Sequence, residues 1–275
     1  MKIYNTRQGT VIEANGNYYP AEVAWDTLIN DDNALQTANK LIETATAGDS
    51  TLIKELLPVI GSNQELWACG VTYLRSKLGR QEESKDAGGG DFYGRVYEAE
   101  RPECFFKSTP QRVVGNGGLV RIRKDSTWDV PEPELTLVVT KSAKIIGYTV
   151  GNDMSSRSIE GENPLYLPQA KTYDGCAALG PCILLTESPI SSDTKITLTI
   201  SRNNEKAFTD TIAISQMKRT PEELTSFIFR ECTFPNGCMI MTGTGIVPGN
   251  DFTLQSGDTI AIAIENIGEL VNTVA

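Results

Sequence analysis

The feature that most constrains this chain is how tightly its apolar runs are spaced. From "LWACGVTYL" at residue 66 onward, short runs are parted by short turns: "LTLVV" and "IIGYTV" flank "TKSAK", and "KITLTI" and "KAFTDTIAI" flank "SRNNE". Each pair reads as an antiparallel hairpin. Parallel neighbours need a long crossover, and there is no room for one, so the expected body is mostly β, a barrel-like or sandwich-like domain with some helix. Two further strands are read in "GDTIAIAIENIGELVNTV". One helix is well signalled in "TPEELTSFIFREC": Thr220 is the N-cap, Pro221 the first helical residue, Glu223 completes a capping box, and Leu224, Phe227 and Ile228 share a face.

Residues 1–65 have a different texture. "TVIEANGNYYP" places an Asn-Gly turn between two strand-like pieces, and "DDNALQTANKLIETATAG" is a polar helical stretch closed by glycine. The expected organisation is a small α+β N-terminal domain at 1–65 and a large domain at 66–275. A length of 275 residues and 40% hydrophobic content support that size of core. Residues 75–98, "RSKLGRQEESKDAGGGDFYGRVYE", are charge-dense around three glycines and read as a linker or as a lid with little burial.

Composition removes several functions. A net charge of −10 opposes nucleic-acid or anionic-membrane partners. No apolar run is long enough to span a membrane, and "MKIYNTRQGT" has no export pattern, so a cytoplasmic location is expected. The six cysteines form no C-x-x-C pair and read as buried thiols. There is no histidine, which excludes Ser-His and Cys-His nucleophiles, histidine bases and histidine-containing metal sites.

Chemistry must then come from carboxylates, lysine, tyrosine or a hard metal ion. In "DVPEPELTLVV", Glu132 and Glu134 are two apart on a strand and point to one face, where they repel unless a positive charge lies between them. The returning strand "IIGYTVGND" brings Asp153 back towards them. Three carboxylates make an oxygen-only site suited to Mg²⁺, with Mn²⁺ or Ca²⁺ as alternatives.

"PEPELTLVV", "GYTVGNDMSSRSIE", "AKTYDGCAALGPCI", "MIMTGTG" and "SGDTIAIAIENIGELVNTV", in that order, resemble the fumarylacetoacetate hydrolase superfamily from residue 66 to the end. The resemblance implies a fumarylacetoacetase C-terminal-like fold, a mixed β-sandwich roll, with Glu132, Glu134 and Asp153 as metal ligands. It makes Lys171 of "KTYD" the active-site lysine and Thr244 of "TGTG" a contact to the substrate carboxylate. "DFY" at 91–93 resembles a segment in which a catalytic histidine follows the aspartate by seven residues. Here that position is Glu98, so no histidine base is left to activate water, and Asp91 becomes a candidate further ligand. Ser158 stands where most relatives carry aspartate after the arginine, Arg157.

The stretch "SSRSIEGENPLYLPQAKTYD" is more particular and resembles the branch that contains 2-keto-3-deoxy-D-arabinonate dehydratase and related sugar-acid enzymes. It implies a Mg²⁺-dependent hydro-lyase of sugar-acid catabolism acting on a small 2-oxo acid. Lys171 would transfer a proton, Glu98 or Glu160 would help the 4-hydroxyl leave, and Thr244, Arg75 or Lys107 would hold the carboxylate end. The superfamily also implies a homodimer or homotetramer. Two alternatives stay open: a hydrolase or decarboxylase of acylpyruvate-type 2-oxo acids, and a catalytically silent relative whose cation only supports the fold.

Overall fold

The computed structural model describes residues 1–83 and 90–275, with the side chains of residues 83, 90 and 91 outside the description. Two sheets carry the fold, antiparallel as the spacing of the apolar runs leads one to expect except where strands distant in sequence meet in parallel: Cys238–Met241 with Glu65–Gly70, Val113–Val114 with Ala177–Leu185 and Leu119–Val120 with Gly268–Val274. In the larger, hydrogen-bonded neighbours run Asn17–Ala21, Gly9–Ala14, Lys2–Thr6, Ala177–Leu185, Ile145–Ser156, Asp129–Val139, Cys238–Met241, Glu65–Gly70 and Glu103–Ser108, with Val113–Val114 joining Ala177–Leu185. The smaller runs Glu205–Ala213, Lys195–Arg202, Thr259–Ile264, Gly268–Val274 and Leu119–Val120. A core of Leu135, Leu137, Val150, Ile196, Leu198, Ile260 and Ile262 fills the space between them.

Both expected hairpins form. Asp129–Val139 pairs antiparallel with Ile145–Ser156, and Lys195–Arg202 with Glu205–Ala213. The Asn-Gly turn also forms, with Asn15 and Gly16 both at positive φ between Gly9–Ala14 and Asn17–Ala21. Helix Pro221–Phe229 starts on Thr220, whose hydroxyl accepts from the Glu223 amide at 3.1 Å. The Glu223 carboxylate does not close a capping box; it accepts from Arg219 at 2.5 Å, a charge-assisted bond that competes successfully for it. Leu224 and Ile228 are buried, whereas Phe227 is half-buried beneath the guanidinium of Arg230.

The N-terminal strands add to the edge of the large sheet through Lys2 opposite Leu184 and Ile3 opposite Ile183. Ile3, Ile12, Leu28, Ile29 and Ala38 share a core with Leu66, Ala68, Val138 and Ile183. A division near residue 65 thus remains a proposal about folding units on one continuous sheet. Among the described residues, no helix is long and apolar enough to cross a membrane.

The 75–98 region differs from the solvated linker read in the sequence. It contributes helices Leu74–Glu83 and Gly90–Glu98, and Ser76, Arg80 and Tyr93 on them are buried. Residues 84–89, with Gly88 and Gly89 of the expected hinge, lie outside the described residues.

Candidate metal centre

The long hairpin sets the site. Its register puts Glu132 opposite Asp153 and Glu134 opposite Gly151, so the three carboxylates share one face of the sheet. One oxygen from each of Glu132, Glu134 and Asp153 lies within 4.8 Å of the others, and all three residues are buried. The space beside them is about 10 Å³, room for one ion-sized or water-sized body.

Cations from separate elements surround two of the three. Lys171, at the end of helix Leu167–Lys171, donates to Glu132 Oε2 at 2.6 Å and to Asp153 Oδ2 at 3.3 Å. Arg157 pairs with Glu132 Oε1 at 2.8 Å, and Lys107 with Asp153 Oδ1 at 2.5 Å. Burial pushes the Glu132 carboxyl up, but the charges of Lys171, Arg157 and Arg80 outweigh it and hold the group at about 2.

Glu134 differs. Its Oε2 accepts from the Gly243 amide at 2.5 Å, and among the described residues it has no ion-pair partner. Burial, then the charges of Asp153 and Glu132, push its carboxyl well above the usual range. A buried carboxylate left in that position calls for a cation, and the donor set is entirely oxygen, so a hard divalent ion fits. Gly243 makes the contact possible: its φ is +94°, and a Cβ there would lie 2.0 Å from Thr72 Oγ1 and 2.8 Å from the Cys69 carbonyl.

The other residues singled out in the sequence scatter. Thr244 lines the pocket, its hydroxyl donating to the Ile246 carbonyl at 3.2 Å. Lys107 is fully buried behind Asp153, where it also donates to the Met154 carbonyl at 3.0 Å and to the Lys171 carbonyl, so it braces the site instead of facing a substrate. Glu160 is buried on Arg157–Glu162, ion-paired with Arg80 and accepting from Ser155 at 3.1 Å. Two more placements correct the sequence reading. Glu98 is exposed and pairs with Lys218 at 2.9 Å and Lys77 at 3.6 Å; the helix carries it outward, away from the carboxylates. Arg75 is exposed too, and it is Arg80, more than one turn along the same helix, that lines the pocket. Ser158 bonds Ser126 at 3.0 Å, which leaves Arg157 to Glu132. The side chain of Asp91 lies outside the described residues.

Glu103 was missed. It stands opposite Gly70, so close that a Cβ on Gly70 would lie 1.8 Å from Glu103 Oε2. Gly70 lines the carboxylate pocket, while Glu103 lines a second cleft of about 530 Å³ with Phe92, Tyr93, Asn163 and Leu165. Burial raises its carboxyl above the usual range, against the pull of Arg80 and Lys171. A signal existed: in "ECFFKS", Glu103 and Phe105 alternate onto one strand face, and Phe105 lines the carboxylate pocket.

Comparison with known proteins places the chain in a family. Residues 81–275 match the fumarylacetoacetate hydrolase C-terminal family model. The chain is 47% identical over 238 residues to a Haloferax volcanii protein named "Probable 2-keto-3-deoxyxylonate dehydratase", an alignment covering 86% of this chain and 81% of that one. It is 42% identical over 214 residues to 2-dehydro-3-deoxy-D-arabinonate dehydratase of Saccharolobus solfataricus, covering 76% and 71%. A solved 2-keto-3-deoxy-D-arabinonate dehydratase complexed with magnesium and 2,5-dioxopentanoate superposes with a TM-score of 0.84 at 33% identity, over 100% of this chain and 98% of that one. The chain belongs to the fumarylacetoacetate hydrolase family.

Proposed function

We propose that this protein is a magnesium-dependent dehydratase of a 2-keto-3-deoxy sugar acid of five or six carbons. The observation that carries this reading is the buried cluster of Glu132, Glu134 and Asp153, in a chain whose relatives at 47% and 42% identity are named dehydratases of such acids.

A divalent ion on the three carboxylates would supply a Lewis acid for the carboxylate and 2-keto oxygens of the substrate, acidifying its C3 hydrogens. The chain supplies the rest. Thr244 and Arg80 line the pocket and orient the acid end. Lys171 Nζ, held against Glu132 and Asp153, is the candidate for moving the C3 proton. Glu103, opposite Gly70 of the carboxylate pocket and lining the larger cleft, is a carboxyl that burial inclines to keep its proton. It gives that proton to the 4-hydroxyl as the C4–O bond breaks, and water departs. Glu160 acts through Arg80 instead of on substrate.

The test is to incubate the purified protein and Mg²⁺ with a panel of 2-keto-3-deoxy acids and acylpyruvates and to identify products by mass. Loss of one water from a sugar acid is expected. Cleavage of an acylpyruvate into two acids, with sugar acids untouched, would overturn the reading in favour of a hydrolase.

A further inference from the structure

Two cysteines sit where they can report on this centre. Cys69 and Cys104 are direct partners across the antiparallel strands Glu65–Gly70 and Glu103–Ser108, and their sulfurs are 3.6 Å apart. Direct antiparallel partners have Cα atoms roughly 4.5–5.5 Å apart, inside the span that a disulfide bridges. The next register pair is Gly70 with Glu103. Cys69 also touches the metal side, because its carbonyl lies against Gly243, whose amide holds Glu134. The pair is thus coupled by backbone to the carboxyl facing the cleft and to the carboxylate without a cation.

Access is unequal. Cys69 is buried, whereas Cys104 is half-buried on the last strand of the sheet. The two sulfurs share one hydrogen bond in which either can donate. Cys104 is therefore the sulfur that a peroxide reaches first.

We propose that Cys69 and Cys104 form a redox-active dithiol whose closure to a disulfide weakens divalent-ion binding at Glu132, Glu134 and Asp153. The oxidant is hydrogen peroxide. Cys104 sulfur attacks a peroxide oxygen, the O–O bond breaks, and water leaves a sulfenic acid. Cys69 sulfur then attacks Cys104, the S–S bond forms, the S–O bond breaks and a second water departs. Two thiols are oxidised and one peroxide is reduced to two waters. Closing the S–S bond locks the Cys69 and Cys104 side chains to each other across the two strands, and the constraint bears on the backbone at Cys69 and Gly70 that lies against Gly243 and Glu103.

The inference rests on the metal reading of the site, and its test keeps the two apart. The exposed Cys232 is first replaced, Cys232→Ser, to prevent cross-linking between chains. The protein is then treated with hydrogen peroxide, its disulfides are mapped by mass, and Mg²⁺ is titrated calorimetrically before and after and again after dithiothreitol. The expected result is a Cys69–Cys104 disulfide, an affinity at least about tenfold weaker, and full recovery on reduction. Cys104→Ser, at the half-buried position, should bind Mg²⁺ like the reduced protein and ignore peroxide. Oxidation only to sulfinic acids, or a disulfide that leaves the affinity unchanged, would overturn the proposal. Failure of the reduced protein to bind Mg²⁺ would count against the metal reading, while absence of the mapped disulfide would still sink the dithiol on its own.

Discussion

The hairpins Asp129–Val139/Ile145–Ser156 and Lys195–Arg202/Glu205–Ala213 are both antiparallel and both turn through residues at positive φ, Ala143 in one and Asn203 and Asn204 in the other. Every residue of Asp129–Val139 is nevertheless buried, carboxylates included, while Glu205–Ala213 is mostly exposed. The exposed face of the second hairpin is held within the hairpin, through Thr197 bonded to Thr211 at 3.0 Å and Thr199 to Thr209 at 3.1 Å, while its other face joins the core through Ile196, Leu198 and Ile200. The first depends on side chains delivered from elsewhere: Lys107 from a strand, and Arg80, Arg157 and Lys171 from three helices. Buried charge is tolerated only where several elements converge to compensate it, and that convergence is what a functional site requires.

The contrast can be broken most severely at Lys107. Lys107→Met leaves Asp153 with a buried oxygen deprived of its closest cation, and should cost about 3–5 kcal/mol in urea unfolding, part of it recovered by excess Mg²⁺. A cost below about 1 kcal/mol would mean that the hairpin does not depend on its distant partners.

Glu103→Gln should lower kcat by about 10²- to 10³-fold with Mg²⁺ affinity retained. Unchanged kcat would remove Glu103 from proton transfer.

Asp129 sharpens the comparison within the first hairpin. Burial raises its carboxyl to about 6, against a hydrogen bond from Ser126 and the pull of Arg123. A carboxyl raised on folding contributes stability below its unfolded value of 3.8, and that contribution is lost as pH climbs through about 6. Asp129→Asn should therefore raise Tm by about 2–4 °C at pH 7.5 relative to wild type and by almost nothing at pH 4. A larger gain at pH 4 would reverse the sign and the argument.

The smallest effect belongs to the solvated hairpin. Thr199→Ala should change stability by no more than about 0.5 kcal/mol in chemical denaturation. A loss several times larger would show that this hairpin, too, is held from a distance.

The same contrast explains what could be read in advance. Hairpins, the Asn-Gly turn and the Thr220 cap depend on neighbours in sequence, so local patterns disclose them. Glu132, Glu134 and Asp153 were legible because strand alternation and hairpin return are also local rules. The compensating cations were not. Arg80 looks like one more charge in "RSKLGRQEE", and only the packing of its helix makes it a partner of Glu160 and a wall of the pocket. Glu98 failed for the converse reason: counting residues from Asp91 fixes a distance along the chain and not the side of the helix that faces inward. Phe227 shares a face with Leu224 and Ile228 by periodicity, yet Arg230 holds it at the surface.

If Glu134 is the carboxylate that an ion completes, calorimetric titration of Mg²⁺ into the wild-type protein and Glu134→Gln, with circular dichroism to monitor the fold, should separate the two. One ion per chain is expected in wild type and affinity at least about tenfold weaker in the variant, whose metal-free Tm is not lowered because a buried carboxyl without a cation has been neutralised. Equal Mg²⁺ affinity in the two proteins would remove Glu134 from the site.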